Sequence, residues 1–242
     1  MRIDAYLASS GLVSSRTEAK RYIESGLVLV GGVPVTKPSF DVDESNPDIT
    51  LLEQEKSFVG RGGIKLDGAL DSFDIAVEGK RCLDVGASSG GFTDCLLQRG
   101  AAHVIAVDSG RGQLVESLRR DPRVTSVEGY NARYMSPADF AYAPELAVMD
   151  VSFISATYII PALSVVLPSG ADFVLLIKPQ FEVGREFVGK GGIVKSEKAR
   201  KMAIDKVLDC AKGFCFELKA LIESPIRGGD GNVEYLAHLV RC

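Results

Sequence analysis

The chain has 242 residues, of which 46% are hydrophobic and 25% are charged, and its formal net charge is −4. A chain of this length and composition holds one large globular domain, or a large domain and a small one. The weak negative charge gives no overall attraction to nucleic acid, so any RNA binding must come from local basic patches.

Neither a membrane segment nor a metal site is predicted. The N-terminus carries no apolar signal core and no apolar run is long enough to span a bilayer, so we expect a cytoplasmic protein. The five cysteines are odd in number and lack the paired spacing of metal ligands. Reduced thiols are the simplest interpretation in that compartment.

Residues 1–59 are expected to form a small α+β domain. Apolar residues recur at helical spacing over residues 2–25, and strand patterns at 27–30 and 33–35 are separated by a pair of glycines. Paired glycines favour a tight hairpin because glycine accepts positive φ. The acidic stretch 41–55 follows as a connecting segment with one short strand.

The order of residue types in this domain resembles the S4 RNA-binding module. The resemblance rests on Arg2, Asp4, Tyr6, Leu7, Ser15, Arg16, Ala19, Ile23, Gly26, Val28, Val30 and Gly32. It implies RNA binding by the basic residues of the domain, which are Arg2, Arg16, Lys20, Arg21 and Lys37. By themselves, so few charges are better explained as a solvated helix face, so RNA binding here depends on the resemblance.

The boundary between the domains is expected just after this unit. Glycines on both sides of Arg61 predict a flexible, cationic linker at residues 60–64. Apolar residues at helical spacing after Lys65 then predict a helix that leads into a second domain, residues 65–242.

The second domain alternates strand and helix patterns, which is typical of a parallel sheet covered by helices. The predicted strands span residues 83–85, 104–107, 124–127, 146–149, 173–177, 216–222 and 235–240. The helical patterns span residues 92–98, 113–118, 154–166 and 197–211. The first five strands fit a parallel sheet, and the last two are expected to pair as a hairpin at one edge. This α/β arrangement, with an antiparallel final strand, resembles the seven-stranded, Rossmann-like fold of class I methyltransferases.

The stretch 81–93 fits an apolar strand that ends in an acid, followed by a glycine- and serine-rich turn that opens a helix. Its glycines let the backbone approach a bound group and the helix start offers free N–H groups, although a plain connecting turn fits the same residues. The spacing acid-x-Gly-x-x-x-Gly differs from a dinucleotide fingerprint and resembles the first motif of class I methyltransferases. That resemblance implies S-adenosylmethionine as the cofactor.

Residues that follow the strands lie at the edge where open α/β sheets bind ligands. Asp108 follows the second strand, where the resemblance implies hydrogen bonds to the ribose hydroxyls of a nucleoside, and Asn131 follows the third, near the expected adenine. The implied cofactor-binding residues are Asp84, Gly86, Ala87, Ser88, Gly90, Gly91, Phe92, Asp108, Asn131 and Asp150.

Four charged residues are predicted to meet at the same edge of the sheet. Asp150 and Lys178 end the fourth and fifth strands, Glu234 opens the seventh, and Lys65 precedes the first. Lys, Asp, Lys and Glu in this chain order resemble the catalytic tetrad of FtsJ-like RNA ribose 2′-O-methyltransferases. Together with the S4-like domain, the tetrad resembles the TlyA family of rRNA 2′-O-methyltransferases, whose members also carry the name hemolysin.

The resemblance covers essentially the whole chain and implies that a monomeric enzyme methylates a ribose 2′-hydroxyl, expected on a cytidine, in ribosomal RNA or ribosomal subunits. Such a hydroxyl loses its proton as it attacks the methyl group. Lys178 is therefore assigned as the base or hydroxyl-steering group, Asp150 as its orienter, and Lys65 and Glu234 as positioning residues. Nearby positive charge favours a neutral lysine and nearby acids favour a charged one, so the sequence leaves the protonation state of Lys178 open.

A second run of basic residues follows Lys178 around a glycine-rich loop at 189–192. A flexible, cationic loop beside the catalytic lysine suits contact with RNA phosphates. The basic residues at 198–201 fit a solvated helix face as well. The predicted RNA contacts of this domain are Arg61, Arg185, Lys190 and Lys195.

Other methyl acceptors fit less well. Residues 150–153 lack the Pro-Pro-aromatic sequence common in amino-group methyltransferases, and no cysteine follows a proline, as cytosine C5 chemistry commonly requires. Two other functions stay open. One is a membrane-acting hemolysin, which needs an apolar or amphipathic segment, and the other is an RNA-binding protein with an inactive methyltransferase domain.

Overall fold

A computed structural model gives the architecture of the chain. It describes residues 1–13, 15–24, 26–43, 48–52 and 57–242, and the side chain of Arg21 lies outside the described part. The chain divides into two compact units, Met1–Ser57 and Phe58–Cys242.

The first unit is a small α+β fold. Its elements are α1 (Ile3–Ser9), α2 (Arg16–Glu24), β1 (Val28–Val30), β2 (Val33–Pro34) and β3 (Ile49–Leu51). The strands pair antiparallel in the order β2-β1-β3. Apolar side chains from both helices and from β1 form one core, in which Leu7, Ile23 and Val28 have no exposed surface. The predicted helices, hairpin and short third strand are therefore confirmed.

A buried carboxylate joins the two helices of this unit. Asp4 has no exposed surface, and its two carboxylate oxygens each lie 3.0 Å from a guanidinium nitrogen, one of Arg2 and one of Arg16. The hydrogen bond from Arg2 is the largest of the contacts that lower the pKa of Asp4 to about 2. Arg2 and Arg16, both predicted to bind RNA, thus have a structural partner inside their own unit.

The second unit is an α/β fold around one large sheet. Its helices are α3 (Arg61–Ser72), α4 (Gly91–Gln98), α5 (Glu116–Arg119), α6 (Ile160–Val166), α7 (Pro179–Glu182) and α8 (Glu197–Gly213). Its strands are β4 (Arg81–Val85), β5 (His103–Asp108), β6 (Val124–Glu128), β7 (Leu146–Met149), β8 (Asp172–Ile177), β9 (Phe216–Glu223) and β10 (Tyr235–Arg241).

The sheet has the order β6-β5-β4-β7-β8-β10-β9. The first five strands of the unit are parallel, and β10 lies antiparallel between β8 and β9. Successive residues of β8 face opposite sides, so Phe173 and Leu175 pack in one core and Val174 and Leu176 in the other. The seven-stranded, Rossmann-like sheet predicted from the sequence is confirmed.

The predicted linker at 60–64 differs from the structure. Arg61 begins α3, and the division between the units falls after Ser57. Gly63 lies so close to Phe58 that a Cβ on the glycine would collide with the ring. The glycines of this segment therefore serve close packing rather than flexibility.

Two predicted helices are shorter than expected. Helix α5 begins only at Glu116, because the carboxylate of Glu128 accepts hydrogen bonds from the amides of Gly112 and Gln113 and holds the preceding residues in a loop. The pattern at 154–166 is divided into a short 3₁₀ turn and helix α6. Proline at position 161 fits the first turn of α6 but disfavours helix immediately before it.

Replacement of Asp4 by asparagine should destabilise the first unit by about 1–3 kcal/mol, because two guanidinium groups lose their buried carboxylate partner. Since the pKa of Asp4 is lowered, its contribution is complete above its unfolded value of about 4 and is lost as the pH falls towards 2. Urea unfolding followed by the amide NMR signals of residues 3–9, across this pH range, checks both statements.

The exposed Glu24→Gln variant of α2 is the control, and it should keep the pH dependence of the wild type. An Asp4→Asn variant with wild-type stability at neutral pH would contradict the role assigned to this carboxylate.

Candidate active site

Two cavities open at the carboxyl ends of the parallel strands. The larger, about 330 Å³, extends towards Asp108, and the smaller, about 210 Å³, extends towards Lys178. Gly86, Ser88 and Asp150 line both. The larger volume lies within the range of about 300–1,000 Å³ that is usual for small-molecule sites. The predicted cofactor turn and the predicted catalytic acid therefore share one surface.

The turn after β4 needs glycine at two positions. Gly86 has a φ of +86°, and a Cβ there would collide with the main-chain oxygen of Asp150. Gly90 has a φ of +103°, and a Cβ there would collide with Leu118 of α5. Glycine thus permits both the backbone conformation and the close approach. Gly90 packs against α5 and lines neither cavity, whereas Gly86 lines both.

The rest of the turn faces the smaller cavity, which Ala87, Gly91 and Phe92 line. Ser88 has a φ of +48°, an uncommon value for a residue with a side chain. This conformation lets the amide of Ser88 donate a 2.8 Å hydrogen bond to Asp108. The turn after β4 is therefore tied to the end of β5.

Asp108 is held by the backbone on both of its carboxylate oxygens. Oδ2 accepts from the amide of Ser88, and Oδ1 accepts from the amide of Gly110 at 2.7 Å. Each carboxylate oxygen keeps a further lone pair. Asp108 is consequently fixed in orientation and still able to accept hydrogen bonds from hydroxyl groups in the larger cavity. Its contact with a ribose stays a prediction.

Asp84 is fully buried, unlike Asp108 and Asp150. Thr93, in the first turn of α4, donates a 2.6 Å hydrogen bond to Oδ2, and Oδ1 has no hydrogen-bond partner among the described residues. Burial is the main reason that the pKa of Asp84 rises to about 7, and the charges of Asp150 and Asp108 raise it further.

This arrangement fits the cofactor predicted from the sequence. Asp108 and Asp150 give one edge of the sheet a negative potential, and their charges contribute to the raised pKa of the buried Asp84. A ligand that carries a sulfonium and an ammonium group would offset that potential, whereas an anionic ligand would increase it. Asp84 itself lines neither cavity and accepts a hydrogen bond from Thr93, so its predicted contact with the cofactor stays a prediction.

The outer end of the larger cavity combines an amide with apolar side chains. Asn131 caps a short 3₁₀ turn by accepting a 3.2 Å hydrogen bond from the amide of Arg133. Tyr130, Ile154 and Ile159 line the same cavity. An apolar slot edged by a polar amide suits a planar heteroaromatic base.

The predicted tetrad forms two ion pairs. Lys65 Nζ lies 2.6 Å from Glu234 Oε2, and both side chains are buried. Lys178 Nζ lies 2.5 Å from Asp150 Oδ1 and donates a 2.8 Å hydrogen bond to Ser152 Oγ. Each lysine thus has a carboxylate of its own, and only the second pair lies on the wall of the smaller cavity.

Strand register explains how residues so distant in sequence come together. Tyr235 of β10 pairs with Ile177 of β8, so Glu234 and Lys178, the next residues beyond this pair, lie at the same edge of the sheet. The side chain of Lys65 reaches Glu234 from α3. Helix α3 is in turn held to the loop before β10 by a 2.8 Å hydrogen bond from Arg61 to the main-chain oxygen of Arg227.

The sequence analysis missed two residues of the site. Both lie in the segment after β7, at the edge of the sheet where ligands are expected to bind. Ser152 is the hydroxyl partner of Lys178. Phe153 has a φ of +63°, its side chain is 92% exposed, and its ring contacts Phe181 with 5.2 Å between centroids. A strained, exposed aromatic side chain beside the predicted catalytic pair is a signal of function that no periodic pattern reveals.

A buried asparagine links two loops near the tetrad, and the sequence analysis missed it too. Asn232 Oδ1 accepts from the amide of Val194, and Asn232 Nδ2 donates to the main-chain oxygen of Gly192, each at 2.9 Å. The loop that carries Lys190 and Lys195 is thereby fixed to the segment that leads into Glu234.

The predicted RNA-binding residues differ in their surroundings. Several are exposed, namely Lys20, Lys37, Arg61, Arg185, Lys190 and Lys195. Arg2 and Arg16 pair with Asp4 and remain about half exposed, with side-chain exposures of 49% and 58%. The side chain of Arg21 lies outside the described part. RNA contact by all of these residues stays a prediction.

Comparison with protein families matches both units. The family model for FtsJ-like methyltransferases matches residues 58–241, and that for the S4 domain matches residues 1–46. The chain is 44% identical to the 16S/23S rRNA (cytidine-2′-O)-methyltransferase TlyA of Mycobacterium tuberculosis, over 98% of this chain and 89% of that protein.

Two further relatives carry the name hemolysin. Hemolysin A of Brachyspira hyodysenteriae is 45% identical over 99% of this chain and all of that protein. A solved structure of a Streptococcus thermophilus protein named as a hemolysin has a TM-score of 0.75 and 44% identity, covering all of this chain and 88% of that one. With a family match over most of its length, this chain belongs to the FtsJ-like methyltransferase family and carries an S4 domain in front of the methyltransferase domain.

Proposed function

We propose that this protein transfers a methyl group from S-adenosylmethionine to a ribose 2′-hydroxyl of ribosomal RNA, on a cytidine nucleotide. The observation that carries the proposal is the position of Asp150, which lines both cavities and pairs with Lys178 at 2.5 Å. Relatives named as rRNA (cytidine-2′-O)-methyltransferases support both the acceptor and the nucleotide.

The larger cavity is the proposed cofactor site. Asp108 would accept hydrogen bonds from the ribose hydroxyls, Asn131 would border the adenine, and Gly86 would let the backbone approach the ligand. S-adenosylmethionine, when bound, supplies an electrophilic methyl group on a sulfonium centre. The acidic residues around the turn favour a cationic ligand there.

The Lys178–Asp150 pair is the proposed acceptor site. A 2′-hydroxyl that attacks a methyl group must give up its proton, and a group within hydrogen-bond reach promotes this. Lys178 would take or steer that proton, while Asp150 and Ser152 fix the position of its Nζ. The buried Lys65–Glu234 pair would hold α3 and β10 beside it and act as a positioning element.

Ribosomal RNA or whole ribosomal subunits are the proposed substrates. The exposed basic residues of the S4 domain, Lys20 and Lys37, and those beside the site, Arg185, Lys190 and Lys195, would contact phosphates. Action on ribosomes would place the enzyme in the cytoplasm, and the monomeric state expected from the sequence is part of this proposal.

Because relatives carry the name hemolysin, a membrane-acting hemolysin is the second candidate function. Within the described residues, no helix has both the length and the apolar character needed to cross a membrane. Leakage of liposomes caused by pure protein, and undiminished by loss of Lys178, would favour that function. An inactive methyltransferase domain is disfavoured because both ion pairs of the tetrad are intact.

Replacement of Lys178 by alanine should reduce methyl transfer to ribose by roughly 10²–10⁴-fold, because the group that takes or steers the hydroxyl proton is lost. Binding of S-adenosylmethionine, measured by calorimetry, should persist. Labelled cofactor and ribosomal subunits that lack the modification provide the assay, and nuclease digestion shows whether the label resides on ribose or on a base.

The exposed Lys212→Ala variant at the end of α8 is the matched control and should keep full activity. Label on a base, or wild-type transfer by the Lys178→Ala variant, would rule out the acceptor chemistry proposed above.

Replacement of Asp108 by asparagine should weaken cofactor binding roughly 10- to 100-fold, since a charge-assisted hydrogen bond contributes about 1.5–3 kcal/mol. Asparagine keeps one acceptor oxygen for the backbone, so the fold should survive. Calorimetry with S-adenosylmethionine checks the result, with the exposed Asp205→Asn variant of α8 as control. Equal affinities for all three proteins would remove Asp108 from the cofactor site.

A further inference from the structure

A third depression adjoins the active site at Phe153. This groove, of about 690 Å³, is lined by Arg133, Phe153, Tyr158, Phe181, Glu182 and Lys206, among others. It shares Phe153 and Ile154 with the larger cavity of the active site. A ligand that continues out of the active site past Phe153 therefore enters this groove.

The walls of the groove expose aromatic rings. The side chain of Tyr158 is 62% exposed and that of Phe153 is 92% exposed, although aromatic side chains are usually largely buried in soluble domains. No hydrogen bond of the Tyr158 hydroxyl is found within the described part of the chain. Exposed aromatic rings are the kind of platform on which unpaired nucleic-acid bases stack.

The charge of the groove suits one phosphodiester. Lys206 is compensated by Glu182, with 3.3 Å between Nζ and Oε2. Arg133 has no ion pair with a carboxylate among the described residues, and its guanidinium lies 5.8 Å from the ring centroid of the neighbouring Tyr134. One uncompensated guanidinium beside aromatic rings combines a phosphate contact with a stacking surface.

The floor of the groove is fixed by a buried carboxylate. Glu182 accepts hydrogen bonds from the Ser155 hydroxyl at 2.5 Å and from the Ala156 amide at 2.7 Å. Lys206 donates to the main-chain oxygen of Glu182 at 2.8 Å. These contacts hold the short turn Ala156–Tyr158 against α7 and α8, so the Tyr158 ring is presented from an ordered backbone.

We propose that this groove binds the nucleotide adjacent to the methylated one in the RNA strand, with the base stacked on Tyr158 and the phosphate near Arg133. The inference rests on the proposed RNA methyltransferase function. Lys178 donates a hydrogen bond to Ser152, the residue before Phe153, and the groove is lined by Phe153 itself. A strand whose target ribose reaches Lys178 can therefore place its next nucleotide in the groove.

Methylation kinetics on unmodified ribosomal subunits provide the first test. Tyr158→Ala should raise KM for the subunits roughly tenfold, a change that corresponds to about 1.4 kcal/mol and to the loss of one stacked base. The kcat and the Kd for S-adenosylmethionine should not change. Tyr158→Phe keeps the ring and should restore the wild-type KM.

Phe214→Ala is the matched control, because Phe214 is an exposed aromatic residue near the start of β9. The start of β9 lies at the amino ends of the parallel strands, away from the active site. It should leave KM unchanged. A wild-type KM for Tyr158→Ala would overturn the groove proposal and leave the proposed function standing.

A binding measurement separates the groove from the chemistry. Short oligoribonucleotides that carry 2-aminopurine beside a cytidine are titrated into the Lys178→Ala variant without S-adenosylmethionine, so that no turnover occurs. Stacking of 2-aminopurine on Tyr158 should quench its fluorescence. The double variant Lys178→Ala, Tyr158→Ala should show no such quenching. Failure of the proposed function would appear instead as absence of ribose methylation by the wild type, with quenching retained.

Other occupants give a different pattern. If Tyr158→Ala weakens binding to ribosomal subunits but leaves the quenching of the oligoribonucleotide unchanged, the groove contacts a ribosomal protein, and the nucleotide assignment is wrong.

Discussion

The close approach of the turn after β4 to the end of β7 is the constraint on which the active site depends. The amide of Asp150 donates to the main-chain oxygen of Val85 at 3.0 Å, and only the absence of a Cβ on Gly86 leaves room for the main chain of Asp150. The proposed cofactor turn and the acid that orients Lys178 are thus joined through the backbone. Their relative position does not depend on side-chain rotamers, which favours a fixed distance between methyl donor and acceptor.

The two ion pairs of the tetrad have different tasks. Lys65 and Glu234 are both buried, and a buried ion pair contributes little net stability compared with apolar residues of similar size. We interpret this pair as a positional link between α3 and β10. The Lys178–Asp150 pair faces the smaller cavity, so a substrate hydroxyl that enters this cavity could contact the pair directly. We therefore propose that the first pair positions the elements and that the second acts on the substrate hydroxyl.

The sequence predicted the features that depend on periodicity and on position after a strand, such as the seven strands, the turn at Gly86 and the tetrad. It failed where one residue type has two physical uses. The glycines at 60–63 suggest flexibility, yet Gly63 is required by its packing on Phe58. The contact between Ser155 and Glu182 and the exposed ring of Phe153 were also beyond prediction, because these residues belong to no repeating pattern and to no motif.

Mass-spectrometric mapping of ribosomal RNA most directly tests the proposal that the protein methylates ribose with the help of Lys178 and Asp150. RNA is compared from cells with the gene, without it, and with the gene encoding the Lys178→Ala variant. A 2′-O-methylcytidine should be present in the first sample and absent from the other two. Identical ribose methylation in all three samples, or a difference confined to base methylation, would contradict the assignment of the tetrad to ribose chemistry.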